Sequence, residues 1–177
     1  MPAGEPGGPD SEVFFEFTQV KHDPKFGDKC HPNCQCGRFM EIGNSVFMQY
    51  QKQADGSLKE LSQKNVDFGG GLERLTAATN NDPDIFNTDF FSSAKEVLTG
   101  DEKDVRIILD HLRASVFLAD AGVIPSNKQQ GYLLRRLIRR SAVHAKMSKI
   151  NLSAQVGNIV SSFIKTYKPF YLLKDES

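Results

Sequence analysis

Tryptophan is absent from the 177-residue sequence, and cysteine and methionine are scarce. No apolar run approaches the roughly 20 residues that cross a bilayer, and the first residues lack the basic and apolar segments of a secretory signal. The three cysteines lie within seven residues of one another, an odd and local set that argues against a secreted disulfide framework. We therefore expect a cytoplasmic protein with reduced thiols and no membrane contact.

Net charge is absent as well, because 22 basic side chains balance 22 acidic ones. The composition as a whole therefore lacks the basic signature of a nucleic-acid-binding protein. The charge is nevertheless unevenly distributed, with a net −6 over residues 1–100 and +6 over residues 101–177. Two halves of opposite charge indicate two different roles.

The first half has the pattern of β-strands. Proline and glycine crowd residues 2–9, which predicts a loop, and the aromatic residues of 12–17 predict a strand. A longer strand is expected over residues 38–53, joined by a tight turn to a short strand over residues 58–62. This half is therefore expected to contain a hairpin of an antiparallel sheet.

Three glycines, Gly69, Gly70 and Gly71, follow a further short strand and precede a helical pattern that begins at Leu72. Glycines at such a junction let a nucleotide approach the backbone, and a helix start favours phosphates. Arg74 could add a bidentate charge for a phosphate. The segment is neither a dinucleotide fingerprint nor a P-loop. The alternative is an ordinary glycine-rich turn in which Arg74 pairs with a nearby carboxylate.

Three polar residues on the predicted strands are further site candidates. Asp67 directly precedes the glycines, where its carboxylate could hold a substrate ammonium group or cap a turn. Glu41 and Asn44 flank Gly43 on the preceding strand and offer oxygen atoms for Mg²⁺ or an amine. A solvent-facing strand edge would explain the same two residues.

The cysteine segment is a candidate zinc site with Cys30, Cys34, Cys36 and His31 as ligands. The spacing is tight and lacks the usual C-x₂-C knuckles. His31 directly follows Cys30 and could be unable to turn inward with it, which leaves His22 as the other candidate histidine. The alternative is a surface loop with unliganded thiols.

The second half has the pattern of helices, and the predicted boundary divides a strand domain of residues 1–92 from a helical module of residues 93–177. One helix, expected over about residues 130–146, carries four arginines on its outer side: Arg135, Arg136, Arg139 and Arg140. No acidic residue occurs from 128 to 170 to neutralise them. This face favours RNA or DNA binding, with a solvated charged face as the alternative.

The segments 36–44, 46–50, 66–75 and 110–140 together resemble the alanyl-tRNA synthetase family. The resemblance runs in order along nearly the whole chain. It implies an α+β fold, in which a partial antiparallel β-sheet of a class II synthetase core is followed by an α-helical module that recognises the acceptor stem of alanine tRNA.

The resemblance also implies an activity, the ATP-dependent activation of alanine to alanyl-adenylate and its transfer to tRNA, with Mg²⁺ accompanying the triphosphate. It implies ATP binding by the glycines 69–71, Arg74 and Glu41, and alanine binding by Asp67, Asn44 and Gly43. Arg74 and Asp67 would be the catalytic residues. Members of the family usually carry tryptophan where this sequence has Gly43.

Asn127 matches the residue with which the family reads a base of the acceptor stem. The other residues that the resemblance implies in tRNA binding are Arg113, Tyr132, Arg135, Arg136, Arg139 and Arg140. The first two class II motifs have no match, so we expect weak activity of the chain alone. Another chain could supply them or pair with the open sheet edge. The alternative function is that of a non-catalytic RNA-binding or regulatory relative.

Overall fold

The computed structural model describes residues 2–171, and the chain divides into two compact units, Met1–Ile85 and Phe86–Ser177. The sequence pattern placed the division after residue 92. Within the described residues, the chain forms four strands of an antiparallel sheet and five α-helices, which confirms the predicted α+β class. No helix in this part of the chain is long and apolar enough to span a membrane.

The sheet of the first unit is built around one long central strand. Its strands are β1 (Pro6–Gly7), β2 (Asp10–Glu16), β3 (Phe39–Lys52) and β4 (Leu58–Gly70). β4 pairs with one edge of β3, and β1 and β2 share its other edge, β2 beside the first part of β3 and β1 beside its end. β3 is therefore the strand against which every other strand is positioned.

Two strands differ from the sequence prediction. Residues 2–9 were expected to form a loop, yet β1 pairs with Tyr50 and Gln51, because the edge of a sheet tolerates proline. A Cβ atom at Gly8 would lie 1.8 Å from the carbonyl oxygen of Phe47, so only glycine allows this approach. β4 is one continuous strand rather than two, since its polar middle residues lie exposed on an edge strand.

The junction after β4 follows the predicted order of strand, glycine and helix. β4 ends at Gly70, and α1 (Leu72–Thr79) begins after Gly71, whose extended backbone makes it the N-cap residue. The predicted hairpin is also present: the Asp55 carboxylate accepts a hydrogen bond from the backbone N–H of Ser57 at 2.9 Å, and Gly56 has a positive φ of 87°. These local devices determine where the two longest strands turn and end.

The second unit is a helical bundle with an aromatic core. Its helices are α2 (Asp89–Lys95), α3 (Glu102–Asp120), α4 (Gln129–Met147) and α5 (Leu152–Tyr167). α3 packs on α4 and α5, and α2 packs on α5. Phe91 meets Phe163 edge to face at 5.9 Å between ring centroids, and Phe117 meets Tyr167 in the same way at 5.0 Å.

A buried carboxylate links two of these helices. Asp104 of α3 is 7% exposed and accepts hydrogen bonds from Nδ1 of His144, at 2.7 Å, and from the hydroxyl of Ser148, at 2.5 Å. The hydrogen bonds from Ser148 and His144 lower the pKa of Asp104 below its ordinary value. The carboxylate therefore stabilises the α3–α4 pair in its ionised form.

Candidate functional site

The register between β3 and β4 determines which predicted site residues share a face of the sheet. Gly43 lies opposite Gly70, Asn44 opposite Gly69, and Val46 opposite Asp67. Residues opposite each other in a ladder point to the same side of the sheet, and successive residues of a strand point to alternate sides. Asn44 and Asp67 therefore lie on one face, at diagonal positions whose Cα atoms are about 7–8 Å apart in an ordinary ladder. The structure thus brings together two of the three residues predicted to bind alanine.

Two acidic residues of β2 extend this face. Glu12 lies opposite Asn44, and Asp10 lies opposite Val46. The side-chain amide of Asn44 donates a hydrogen bond to the Asp10 carboxylate at 3.3 Å. We call the set Asp10, Glu12, Asn44 and Asp67 the carboxylate face. The sequence analysis did not identify Asp10 and Glu12 as site candidates, although their alternate positions on a strand indicate that the two side chains share a face.

Gly43 lies on the opposite face of the sheet, together with Phe68. A Cβ atom at Gly43 would lie 2.9 Å from two carbons of the Phe68 ring, and the same ring lies 3.4 Å from the position of a Cβ at Gly70. Phe68 therefore occupies the space that a side chain at position 43 would need. Gly43, which the resemblance placed in the alanine site, does not share a face with Asn44 and Asp67.

Arg74 and Glu41, both predicted at the ATP site, contact each other. Nη1 of Arg74 donates to the backbone carbonyl of Glu41 at 3.1 Å and to its carboxylate at 3.3 Å. The Arg74 side chain is 50% exposed, and the position of a Cβ at Gly71 lies 3.3 Å from its aliphatic stem. Glu41 thus orients Arg74 through one nitrogen and leaves the rest of the planar guanidinium accessible.

Within the glycine segment, Gly69–Gly71, the backbone is open at Gly69. A Cβ atom at Gly69 would meet no other atom within 4 Å. The segment leads directly into α1, whose first turn carries Arg74. A ligand phosphate placed at this helix start would meet the backbone N–H groups of the first turn and a nearby guanidinium.

The cysteine segment forms a compact group with a histidine. The ligand atoms of His22, Cys30, Cys34 and Cys36, which we call the Cys/His cluster, all lie within 4.8 Å of one another. His31, named with the cysteines in the sequence prediction, is exposed and is not in this group. His22, considered as the other candidate, takes the fourth place.

The thiols of the Cys/His cluster have unequal acidities. A hydrogen bond with His22 and one from the Arg38 backbone lower the pKa of Cys36 to about 6. Burial raises the pKa of Cys30 to about 11, and its contact with Cys36 adds to the rise. The hydrogen bond to Cys36 and the one to the Gly27 carbonyl raise the pKa of His22. Cys36 is therefore the more acidic of these two thiols.

The four predicted arginines lie on one side of α4 and form what we call the arginine face. Arg136, Arg139 and Arg140 are exposed, and Arg135 is half-buried with its guanidinium 6.0 Å from the Tyr132 ring. Within residues 2–171, no carboxylate lies within 4.0 Å of any of the four. The groove that they line also includes Tyr132, Val143 and His144.

Asn127 and Arg113 have different surroundings. Asn127 is exposed in the turn just before α4. Gly131 allows this turn to pack closely against the helix, because a Cβ atom at Gly131 would lie 2.5 Å from the carbonyl oxygen of Ile124. Arg113, which the resemblance implied in tRNA binding, has its guanidinium 5.7 Å from the Phe91 ring, and its Nη1 donates to the Tyr167 hydroxyl at 3.4 Å. The structure therefore places Asn127 at the start of α4 and the Arg113 guanidinium beside aromatic rings of α2 and α5.

The sequence of the chain is similar to those of known tRNA synthetases. The sequence profile of the family described as tRNA synthetases class II (A) matches residues 1–176. The alanine–tRNA ligase of Petrotoga mobilis is 40% identical over 178 residues that cover 93% of this chain. The chain belongs to the alanine–tRNA ligase family of class II tRNA synthetases.

Other members of the alanine–tRNA ligase family show the same extent of similarity. The enzyme of Elusimicrobium minutum is 43% identical over 79% of this chain, and that of Treponema denticola is 41% identical over 90%. The chain spans between 17% and 28% of the length of these two relatives and 20% of the Petrotoga protein. Family membership is thus shown for a sequence that matches a limited part of each relative.

Within this family context, the residue that sequence reasoning missed most clearly is Phe68. The departure at Gly43 left open whether the space is enlarged or is filled by another side chain. The ladder supplies the answer, because Phe68 lies opposite Ser45 and therefore on the same face as Gly43. Gly43 and Phe68 are 25 residues apart in sequence, so only the pairing of β3 with β4 shows that they are neighbours.

Proposed function

We propose that this chain carries part of the site of an alanine–tRNA ligase, which activates alanine with ATP and transfers it to tRNA in cytoplasmic translation. The observation that carries the proposal is the placement of Asn44 and Asp67 on one face of the β3–β4 ladder, where β4 leads through the glycines into α1 and Arg74. An amine site and a phosphate site are thereby adjacent along one strand.

Alanine would be held by its ammonium group on the carboxylate face. The carboxylate of Asp67 would accept charge-assisted hydrogen bonds, and the side-chain oxygen of Asn44 would accept another. Phe68 and Gly43 lie on the other side of the sheet, so the Gly43 departure would alter packing behind the site rather than the contact with the ammonium group. In this scheme Asp67 orients the amino acid so that its carboxylate can attack the α-phosphate of ATP.

ATP fits the open junction formed by the glycine segment and Arg74. The free space beside Gly69 admits a ligand close to the backbone, and Arg74 is already held by Glu41 while much of its guanidinium is exposed. Arg74 would stabilise negative charge on the phosphates as pyrophosphate leaves. Glu41 acts as a positioning residue through its hold on Arg74.

Magnesium would accompany the triphosphate and neutralise its charge. The described residues contain no cluster of three acidic ligands, since the Cys/His cluster is the single group of potential metal ligands among them. The ion would therefore be held mainly by the phosphates, with Glu41 as the carboxylate of this chain beside Arg74.

The tRNA acceptor stem would bind to the arginine face, with Asn127 close to a base edge. The exposed guanidinium groups of α4 lie free of carboxylate partners among residues 2–171 and suit a phosphate backbone. Asn127 precedes the same helix and could reach into a groove with its amide. The arrangement supports binding through phosphates and recognition through one amide.

The open edge of β4 is where we expect the rest of a class II sheet to add. Among the described residues β4 pairs only with β3, and Val66 and Phe68 are 61% and 62% exposed. Unpaired strand edges with apolar residues favour pairing with another strand. The remaining strands could come from the same polypeptide or from another chain.

The experiment that tests this proposal measures binding of a non-hydrolysable alanyl-adenylate analogue to the purified chain by calorimetry. We expect Arg74→Ala and Asp67→Asn each to lower the affinity at least about tenfold, because each removes a charge-assisted contact. Lys64→Ala is the matched control, since Lys64 is an exposed cation of β4 away from the glycines. Alanine-dependent exchange of pyrophosphate into ATP then measures activity.

The alternative, a non-catalytic RNA-binding relative, makes the opposite prediction. Such a protein would bind an acceptor-stem RNA with a steep salt dependence and would not bind the adenylate analogue. Binding of the analogue with equal affinity by wild type, Arg74→Ala and Asp67→Asn would refute the site proposed above. Binding of RNA alone by a folded chain would favour the alternative.

A further inference from the structure

The loop between β2 and β3 contains four metal-ligating side chains that the proposed synthetase function does not use. The Sγ atoms of Cys30 and Cys36 are 3.6 Å apart, and the Sγ of Cys34 is 3.6 Å from Nδ1 of His22. In a tetrahedral zinc site, with Zn–S about 2.3 Å and Zn–N about 2.0–2.1 Å, the ligand atoms are about 3.8 Å (S to S) and about 3.5 Å (S to N) apart. These two separations match edges of such a tetrahedron, and all four ligand atoms lie within 4.8 Å of one another.

The tautomer of His22 also suits a metal ion. Its Nε2 lies 2.7 Å from the carbonyl oxygen of Gly27, and because a carbonyl can only accept, Nε2 carries the proton. Nδ1 is then left with its lone pair, and this is the nitrogen that faces Cys34. Histidine ligands commonly donate their second ring N–H to a backbone carbonyl, which orients the ring and increases its basicity. His22 thus already has the orientation of a metal ligand.

The loop backbone is held in this arrangement by contacts outside the cluster. Arg38 closes the base of the loop, with Nε donating to the Glu16 carboxylate at 2.7 Å and Nη1 to the Val20 carbonyl at 3.2 Å. Asp23 caps the short 3₁₀ helix of residues 24–26, and Gly37, directly after Cys36, has a positive φ of 83°. The turn chemistry therefore brings the four ligands together from a segment of 15 residues.

We propose that His22, Cys30, Cys34 and Cys36 form a structural Zn²⁺ site. Three thiolates and one imidazole complete a tetrahedron and leave no position for water or substrate, which is typical of structural zinc rather than catalytic zinc. Sulfur-rich sets of this kind select zinc over Mg²⁺ or Ca²⁺. The inference rests on the cluster geometry alone and is independent of the function proposed above.

The site would stabilise the start of the central strand. Cys36 is three residues before Phe39, where β3 begins, and β3 then carries Glu41, which holds Arg74. Within residues 22–36, the segment that carries the ligands, the one buried apolar side chain is Cys34, at 7% exposure, so this segment has little core of its own. Metal binding would supply the stability that packing does not.

Metal analysis of the purified chain tests the site with Zn²⁺ and with Co²⁺ as probes. We expect about one zinc ion per chain, and in the Co²⁺ form the intense visible bands of a tetrahedral sulfur-rich site. Cys34→Ser and His22→Ala should each weaken zinc binding at least about 100-fold, because each removes a direct ligand. His31→Ala is the matched control, since His31 is exposed and outside the cluster, and it should retain full affinity.

Three results would overturn the proposal. The first is a wild-type chain that binds no Zn²⁺ while its three thiols remain reactive. The second is loss of zinc in His31→Ala with retention in His22→Ala. The third is a Cys30–Cys36 disulfide in the freshly purified chain, seen as a loss of two hydrogens in the intact mass. The Co²⁺ spectrum of the wild type reports the ligand set even if a cysteine variant fails to fold.

Discussion

The strand unit and the helical unit of this protein differ in how they are held together. Of the nineteen buried apolar residues among the described ones, fifteen lie in the second unit, whereas the first has Phe17, Cys34, Ala77 and Ala78. The helical unit is stabilised by an aromatic and aliphatic core and carries its candidate functional groups on the outside of α4. The strand unit depends on the backbone ladder, and in its candidate site Asp67 and Arg74 are exposed while Glu41 and Asn44 are half-buried. In the helical unit, the residues that stabilise the fold are therefore different from the candidate functional residues, whereas in the strand unit the same strands both form the fold and carry the candidate site.

The largest expected contrast is between two phenylalanines. Phe163→Ala, at a position with 0% exposure in the helical unit, should lower the free energy of unfolding by about 3–5 kcal/mol through lost burial and a cavity. Phe68→Ala, at 62% exposure in the strand unit, should cost less than about 1 kcal/mol. Urea denaturation followed by circular dichroism measures both. Equal losses would show that the strand unit has a core comparable to that of the helices.

The second prediction concerns the surface of the helical unit. Arg139→Ala with Arg140→Ala should lower the affinity for an acceptor-stem RNA about tenfold and reduce the slope of log K against log salt by about 1.5, because two phosphate contacts are lost. Thermal stability should not change, since both side chains are exposed. Lys165→Ala, an exposed cation on α5, controls for charge alone. An unchanged salt slope would remove the arginine face from RNA binding.

The third prediction uses pH to test the polar link inside the helical unit. The pKa of Asp104 is lowered in the folded protein, so its contribution to stability is present above the unfolded value of about 3.8 and is lost as the pH falls through the lower folded value. Asp104→Asn should lower the Tm at neutral pH and flatten its decline below about pH 4. Asp110→Asn, with a carboxyl 49% exposed, is the control and should keep the wild-type profile. Identical profiles for Asp104→Asn and the wild type would contradict the assignment.

The smallest expected effect concerns the packing of Phe68 beside Gly43 in the strand unit. Gly43→Ala should cost less than about 1 kcal/mol, because the new methyl group meets the far end of the exposed and movable Phe68 ring. In the Phe68→Ala background the same change should cost nothing measurable, so the two substitutions should be non-additive in a double-mutant cycle. Additive costs would mean that Phe68 does not fill the space beside Gly43.

Local patterns were sufficient for much of the fold. The strand predicted over residues 38–53 is β3 (Phe39–Lys52), and the helix predicted over about residues 130–146 is α4 (Gln129–Met147). Both follow from side-chain periodicity and turn residues, which act over a few neighbours. The short strand β1 was missed, because its formation depends on pairing with β3 about 44 residues away.

The sequence by itself determined the fold class, the family and the order of strand, glycine and helix around Arg74, since each depends on residues close together in the chain. Only the tertiary structure decided which of these residues meet. It placed His22 rather than His31 in the Cys/His cluster, put Phe68 beside Gly43, and turned Arg113 toward the aromatic rings. The physical reason is that ladder register and loop closure bring residues together that are distant in sequence, and the periodicity of a single segment predicts neither of them.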